Sequence, residues 1–331
     1  MKYTKLGNTG LDVSRLCFGT MSYGSDTWQG WILDEIQAEN HFRTAIEAGI
    51  NFFDTADIYS KGRSEEITGK YLKEMGRRDE LVIATKVFFP LREGPNSQGL
   101  SRKRIHDSVN DSLTRLQTDY IDLYQIHRFD ERTPIEETLE ALDAVVRAGK
   151  VRYLGASSMA AWQFSKALHL AGEKGWHRFD SMQNHYNLAY REEEREMLPL
   201  CKDQGIGVLP WSPLARGFLS GSRSRDTMDA TARAKTDNYA KDLYACESNF
   251  NVLDALGAVA KAHNASHAQV ALAWLLANPV VTAPIIGSTK VEHIKDAIGA
   301  LDLELTAEQR ESLEAPYAPR PVLGHKQPSF R

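Results

Sequence analysis

Cysteine is scarce in this chain of 331 residues. Only three are present, Cys17, Cys201 and Cys246, and they lie far apart with no CxxC pair. An odd, scattered set of this kind argues against a disulfide framework and against a thiolate metal site. We therefore expect three small thiols that are buried or half-buried.

Long apolar runs are also lacking. The most apolar stretch, residues 270–286, is interrupted by Asn278, Pro279 and Pro284 and cannot serve as a spanning helix. The first residues, MKYTKLGNTGLDVSRL, contain no apolar segment followed by a small-residue cleavage site. We predict a cytoplasmic protein without a membrane segment.

The chain has no basic stripe, and its formal net charge is -4. Without clustered Lys and Arg, nucleic acid is not an expected partner. The acidic run at 191–196 is typical of a solvated first helical turn favoured by the helix dipole, so we predict no metal site there or elsewhere. Apolar residues at 42% and charged residues at 25% are typical of a globular protein with a substantial core.

Short apolar runs rich in β-branched and aromatic residues alternate with segments whose apolar residues recur every three or four positions. This alternation predicts β-α units around a parallel sheet. Eight strands are predicted to begin near Leu16, Asn51, Leu81, Tyr120, Val151, Asp180, Ile206 and Thr282. Helices are predicted at 34–48, 64–74, 101–116, 134–148, 160–171 and 191–202, and after residues 246, 266 and 290.

Eight parallel strands could form an open doubly wound sheet or a closed barrel. An open dinucleotide-binding sheet needs GxGxxG after its first strand, but the only GxG, at 205–207, precedes a strand and has Pro210 in place of the third glycine. We therefore predict an α/β fold of the (β/α)8 TIM-barrel type, with residues 1–331 as a single domain. Extra loops include an insertion at about 212–249, and a proline-rich tail follows Glu314.

Polar residues follow three consecutive predicted strands: Asp54, Lys86 and His127. Tyr59 lies five residues after Asp54. In a barrel, consecutive strands are neighbours and their carboxyl ends form one rim, so these four side chains can converge. Each of these residues alone would more often have a structural role, but the four at converging positions together favour a catalytic site.

The four residue types suit carbonyl reduction, in which an alkoxide forms and needs a proton. A lysine kept charged by an aspartate lowers the pKa of a nearby phenol from about 10, which makes Tyr59 a usable general acid. A neutral imidazole can hydrogen-bond the carbonyl oxygen and hold it within reach of the phenol.

The chain resembles an aldo-keto reductase from end to end, closest in pattern to the aryl-alcohol dehydrogenase-like and potassium-channel β-subunit-like branches. The resemblance is carried by Gln183 and by GINFFDTADIY (49–59), SEE (64–66), LQTDYIDLYQIH (116–127), GKVRYLGAS (149–157) and WSPLARG (211–217). It implies that Tyr59 is the acid, Lys86 modulates its pKa, Asp54 pairs with the lysine, and His127 orients the substrate.

The resemblance also implies NADPH, preferred over NADH, bound on the barrel rim without a Rossmann fold. Ser157 and Gln183 would hold the nicotinamide carboxamide, and Trp211 would stack on the ring. Further cofactor contacts would come from Gly19, Thr20, Met21 and Asp54 near the nicotinamide, from Ser212, Pro213, Leu214, Ala215 and Gly217 around the pyrophosphate, and from Gly287, Ser288, Lys290 and His293 near the adenosine 2'-phosphate.

Five aromatic residues near the rim could line a substrate pocket or simply cover the barrel mouth: Tyr23, Trp28, Trp31, Phe88 and Phe89. The expected partner is a small carbonyl compound, and the chain could act as a monomer or a homo-oligomer. An alternative is a nucleotide-binding regulatory subunit similar to the potassium-channel β subunits.

Overall fold

Ten short strands lie in the part of the chain that the structure describes. A computed structural model describes residues 1–225 and 243–323. Strands β1 (Tyr3–Lys5) and β2 (Asp12–Ser14) form an antiparallel pair. The others are parallel: β3 (Cys17–Gly19), β4 (Phe52–Asp54), β5 (Val82–Val87), β6 (Ile121–Ile126), β7 (Val151–Ser157), β8 (Phe179–Gln183), β9 (Gly207–Val208) and β10 (Ile285–Gly287).

The parallel strands follow one another around a barrel. Their order is β10-β3-β4-β5-β6-β7-β8-β9. The two ends of this sheet meet, because Thr282 N donates to Val208 O at 2.9 Å and Ile285 N donates to Pro210 O at 2.9 Å. The predicted (β/α)8 fold is confirmed.

Helices occupy the connections: α1 (Glu35–Glu47), α2 (Arg63–Met75), α3 (Arg102–Leu116), α4 (Ile135–Arg147), α5 (Ala161–Lys174), α6 (Met197–Gln204), α7 (Glu247–His263), α8 (His267–Leu276), α9 (Val291–Gly299) and α10 (Ala307–Glu314). The sequence explains how they begin and pack. Asp34 and Gln37 form a capping box at the start of α1, and Ala38, Phe42 and Ala45 bury one stripe of it against the sheet.

The hairpin formed by β1 and β2 closes one end of the barrel. Leu6 and Val13 are fully buried and pack in one cluster with inward-facing strand residues such as Cys17, Phe52 and Leu123. Those residues lie at the beginning or middle of their strands. The hairpin therefore covers the amino ends of the strands, and the carboxyl ends are left as the mouth of the barrel.

Three details differ from the prediction. The hairpin and α10 were not predicted, and the helix predicted at 191–202 begins six residues later: a 3-10 turn at Glu192–Glu194, with Glu192 and Glu193 buried where a solvated turn was expected, precedes α6. Pro199 explains the shift, because proline is tolerated in the first turn of a helix but not in its interior. Of the predicted insertion and tail, residues 226–242 and 324–331 lie outside the described residues.

The three thiols are free, with Cys17 and Cys201 buried and Cys246 half-buried, as predicted. Among the residues described, none of the helices combines the length and the apolar character needed to cross a membrane. In the same residues there is no group of three or more His, Cys, Asp or Glu side chains that could hold a metal ion.

Candidate active site

A buried lysine lies at the centre of the barrel mouth. Lys86, near the end of β5, has no exposed surface, and its Nζ lies 2.6 Å from Asp54 Oδ2 at the end of β4. The same ammonium donates to Thr55 O at 2.8 Å and to Tyr59 Oη at 3.2 Å. Three of the four predicted catalytic side chains are thus joined by direct contacts.

Two glutamines hold the Asp54 carboxylate from the other side. Gln125 Nε2 donates to Asp54 Oδ1 at 3.0 Å, and Gln183 Nε2 donates to the same oxygen at 2.9 Å. Gln125 pairs in register with Lys86, so its place follows from the sheet, although it was not predicted as a site residue from the sequence. These two bonds and the contact with Lys86 hold the carboxylate in place.

The electrostatics of Lys86 follow from this arrangement. Burial alone would lower its pKa, but the Asp54 carboxylate and the Tyr59 phenol outweigh burial, so the pKa of Lys86 is raised. The ammonium therefore remains charged in a site that excludes water.

Tyr59 sits at the start of an unusual turn. Ser60 and Lys61 have left-handed backbones, with φ values of 48° and 52°, and Gly62 follows at 94°. Ser60 Oγ accepts a hydrogen bond from Ser25 N at 3.1 Å, which ties this turn to the loop after β3. This turn separates β4 from α2 and places the Tyr59 phenol against Lys86.

The predicted lowering of the Tyr59 pKa is wrong for this structure. Burial raises the pKa of Tyr59, and the charge of Lys86 lowers it by less than burial raises it. The phenol is consequently protonated at neutral pH, with an ammonium beside its oxygen that would stabilise the phenolate once the proton has left.

His127 lies beside the phenol at the carboxyl end of β6. Its ring is 5.9 Å from the Tyr59 ring, centroid to centroid, in an edge-to-face arrangement. Burial, with the charges of Lys86 and Arg128, holds the pKa of His127 well below its usual range. The imidazole is therefore neutral, as the sequence analysis expected.

The predicted pocket aromatics divide into two groups. The Trp28 ring centroid lies 6.1 Å from that of Tyr59. The Phe89 ring centroid lies 4.9 Å from that of His127 and 5.1 Å from that of Phe88. Tyr23 does not belong with them: it is fully buried and packs on Phe18 and Phe42, so its assignment to a substrate pocket is wrong. Trp31 is buried, with 9% of its surface exposed.

Trp211 is a half-buried residue just beyond β9. Its indole Nε1 donates to Ser158 Oγ at 2.9 Å, and its ring stacks on His185 at 4.2 Å between centroids. Ser157 Oγ, at the end of β7, donates to Gln183 O at 2.9 Å. Three adjacent strand ends thus carry Ser157, Gln183 and Trp211. The amide of Gln183 links this group to the Asp54 carboxylate.

The loop after Trp211 has an unusual backbone. Ser212, Ala215, Arg216 and Gly217 all have positive φ values, between 48° and 90°. Ser212 O accepts from Ala215 N at 2.8 Å and from Asn187 Nδ2 at 2.9 Å, which fixes the turn that contains Pro213 and Leu214. A turn in which right-handed and left-handed residues follow one another orients successive N–H groups into a concave surface that binds anions.

Directly after β3, Thr20 plays a structural part. Its Oγ1 contacts Asp54 O at 3.2 Å and Ser64 Oγ at 3.0 Å, and it is fully buried. Gly19 pairs with Asp54 in register, and a Cβ there would lie 2.7 Å from a methyl carbon of Ile285. Met21 follows as a half-buried residue at the mouth.

The predicted 2'-phosphate residues surround the amino end of α9. Ser288 is buried, and its hydroxyl is used locally: it accepts from Lys290 N at 3.1 Å and donates to Lys290 O. Gly287, Lys290 and His293 are exposed. A helix amino terminus with an adjacent cation is suited to bind a phosphate.

Sequence reasoning missed the side chains behind Trp211. His185 and Tyr190 are buried between the β8 strand end and the C-terminal segment, and their rings stack at 4.0 Å. No motif marks them. The one available signal was the aromatic pair His185-Tyr186, which follows Gln183 after the single residue Asn184.

Comparison with known proteins gives a consistent result. The sequence pattern described as the Aldo/keto reductase family matches residues 15–318. A Schizosaccharomyces pombe protein named as an aryl-alcohol dehydrogenase is 45% identical over 97% of both chains. A versiconal hemiacetal acetate reductase from Aspergillus parasiticus is 43% identical over 97% of this chain and 98% of its own, and an aldo-keto reductase from Metarhizium robertsii is 40% identical over 98% and 93%.

Proposed function

The chain belongs to the aldo/keto reductase family and is an oxidoreductase that acts on carbonyl groups, and from this premise we propose that it reduces aldehydes or ketones with NADPH, with Tyr59 as the general acid. The observation that carries the proposal is the contact of one ammonium, Lys86 Nζ, with both the Asp54 carboxylate and the Tyr59 phenol. We further propose that residues 1–331 work as one catalytic domain in the cytoplasm.

In the proposed reaction, a reduced nicotinamide held by Ser157, Gln183 and Trp211 would supply the hydride for the carbonyl carbon. Tyr59 Oη transfers its proton to the carbonyl oxygen, so that an alcohol forms. Lys86 stabilises the resulting phenolate, and Asp54, bonded to Gln125 and Gln183, keeps that lysine charged. The neutral His127 donates a hydrogen bond that orients the carbonyl oxygen.

The residues around the mouth fit a dinucleotide. The half-buried indole of Trp211 offers a flat surface for a ring, while Ser157 and Gln183 lie beside it. The left-handed loop 212–217 suits a pyrophosphate. At the amino end of α9 the exposed Lys290 suits a 2'-phosphate, which supports a preference for NADPH over NADH.

The names of the relatives indicate a substrate class. One is named for aryl alcohols and another for a hemiacetal acetate. In this chain, Trp28 and Phe89 lie against Tyr59 and His127. We therefore propose aromatic aldehydes as good substrates, because aromatic side chains bind flat rings well.

The test uses purified protein, NADPH and an activated aromatic aldehyde such as 4-nitrobenzaldehyde. Oxidation of NADPH is followed at the nicotinamide absorbance band. Tyr59→Phe is expected to lower kcat by about 100-fold or more, since general acid catalysis contributes about 10² to 10⁴, while the Kd of NADPH stays nearly unchanged. Tyr120→Phe is the matched control, because Tyr120 lies just before β6 at the other end of the barrel. Full activity of Tyr59→Phe would remove the proposed acid.

A further inference from the structure

Trp211 is one end of a stack of three aromatic rings. Its indole lies 4.2 Å from the His185 imidazole at an interplanar angle of 12°, and the Tyr190 ring lies 4.0 Å from the same imidazole at 10°. Two parallel rings at these distances must lie on opposite faces of the imidazole. His185 is therefore sandwiched between Trp211 and Tyr190.

Each ring is fixed by a hydrogen bond from a different part of the chain. Trp211 Nε1 donates to Ser158 Oγ at 2.9 Å, and His185 Nε2 is 2.6 Å from the Tyr244 hydroxyl. The Tyr190 hydroxyl accepts from Leu323 N at 2.9 Å and donates to Leu323 O at 3.1 Å. The end of β7, the segment before α7 and the C-terminal segment thus all meet at the stack.

The C-terminal segment is itself anchored beside the stack. Glu192 Oε1 accepts from the Tyr317 hydroxyl at 2.6 Å and from Arg320 N at 2.8 Å. These bonds attach the segment to the residues that follow Tyr190 in the chain. The backbone of Leu323 is consequently held where it can restrain the phenol.

His185 behaves as a neutral aromatic ring. Burial lowers its pKa to about 3, and the charges of Arg320 and Arg216 act in the same direction. A neutral imidazole stacks between two π systems without the cost of burying a charge.

We propose that His185 and Tyr190 are positioning residues that fix the plane of the Trp211 indole for nicotinamide binding, and that the C-terminal segment at Leu323 completes this support. The inference rests on the proposed function. An indole held before the cofactor arrives loses little rotational freedom on binding, which improves affinity without a new contact to the cofactor. The effect belongs to cofactor binding and not to the proton transfer.

The experiment measures the Kd of NADP⁺ by calorimetry, together with KM for NADPH and kcat, in four folded variants. An aromatic pair is worth about a 2- to 12-fold change in an equilibrium constant. His185→Leu removes both stacking contacts and is expected to raise Kd and KM about tenfold, with kcat within about twofold of wild type. His185→Phe keeps a flat ring and is expected to recover most of the affinity.

Tyr190→Phe keeps the ring but loses the bonds to Leu323, and a rise in Kd of about two- to threefold is expected. Tyr186→Phe is the control, because Tyr186 is a buried tyrosine of the same segment that packs on Trp274 instead of the stack. Its Kd should equal that of wild type. If His185→Leu fails to fold, the comparison of His185→Phe with Tyr190→Phe carries the test.

Unchanged Kd in folded His185→Leu would overturn the inference, and so would a His185→Phe variant that binds as weakly as the leucine variant. Failure of the proposed function would look different. In that case wild type would bind no NADP⁺ or would leave NADPH unoxidised with every aldehyde, whereas failure of this inference leaves wild-type binding and turnover intact.

Discussion

At the residue scale, the site depends on a lysine that is fully buried and yet charged. Without Asp54 the burial of Lys86 would favour the neutral amine. The neighbouring phenol shows the opposite balance, because burial dominates there and raises the pKa of Tyr59. The two groups therefore have complementary protonation states: an ammonium that stays charged and an acid that keeps its proton until a base forms beside it.

Glu193 gives a residue-scale prediction about pH. This buried carboxyl accepts one hydrogen bond, from Asn184 Nδ2 at 3.0 Å, and burial raises its pKa from 4.5 to about 8. Between these pH values the folded protein holds a proton that the unfolded chain has released, so stability falls as pH rises through this window. Glu193→Gln replaces the acid by a neutral amide and should be more stable than wild type by a few kcal/mol at pH 9.

Denaturant unfolding at pH 4, 6 and 9 measures this difference. The two proteins should converge at pH 4, where the side chain is protonated in both states of wild type. Glu196→Gln, on the exposed side of the same segment, should change stability by less than about 0.5 kcal/mol at every pH. A gain for Glu193→Gln that does not grow with pH would show that the carboxyl is ionised in the folded protein.

At the element scale, the turn at Tyr59–Gly62 determines where the Tyr59 phenol points. The sequence predicted β4 and α2 within a residue or two, because apolar runs and helix periodicity are local signals. It did not predict the left-handed turn between them, since Ser60 and Lys61 adopt positive φ only in the context of the folded loop. The same limit applies to the hairpin, whose strands of three residues carry little periodicity.

Gly24 provides a test of that turn. A Cβ at Gly24 would lie 2.1 Å from Ser60 Oγ and 2.4 Å from Ser60 Cβ, so Gly24→Ala must push the turn away. We expect a loss of about 1–3 kcal/mol in the unfolding free energy and a lower kcat, because the Tyr59 phenol moves from Lys86. Gly30→Ala is the matched control in the same loop, with no atom within 4 Å of its added methyl group.

Denaturant unfolding measures the change in unfolding free energy of both variants, and steady-state kinetics measures their kcat. Equal stability and turnover in Gly24→Ala and Gly30→Ala would mean that the turn does not depend on the close approach of the two loops.

At the scale of the whole molecule, the barrel could be predicted because eight strand candidates, the first seven at similar spacing, and the missing GxGxxG are properties of the chain alone. Asp54, Lys86 and His127 could be placed on one rim by the same reasoning. The support behind Trp211 could not, because it joins residues 185, 190, 211, 244 and 323 through tertiary contacts. Cofactor binding at this rim should therefore stabilise several distant segments together.

Thermal unfolding with cofactor tests the predicted nucleotide preference. At a concentration of 100 times its Kd, a ligand stabilises the folded state by about 2.7 kcal/mol. Because we propose that NADPH binds more tightly than NADH, NADPH should raise Tm more than NADH at equal concentration. Lys290→Met should reduce the difference between the Tm shifts produced by NADPH and by NADH, because it removes the exposed cation at the amino end of α9. Lys295→Met, an exposed lysine further along α9, should leave this difference unchanged. Equal Tm shifts with NADPH and NADH in wild type would contradict the proposed preference.

We propose that a hydride moves to a carbonyl carbon while Tyr59 protonates the oxygen. The most direct test of this proposal is a single-turnover reaction of wild type with an aromatic aldehyde and NADPH deuterated at nicotinamide C4, with the alcohol product analysed by mass spectrometry. We expect one face of the labelled nicotinamide to deliver one deuterium to the carbinol carbon, and Tyr59→Phe to form no comparable product in the same time. An alcohol that carries no deuterium from either labelled face would rule out hydride transfer from the nicotinamide.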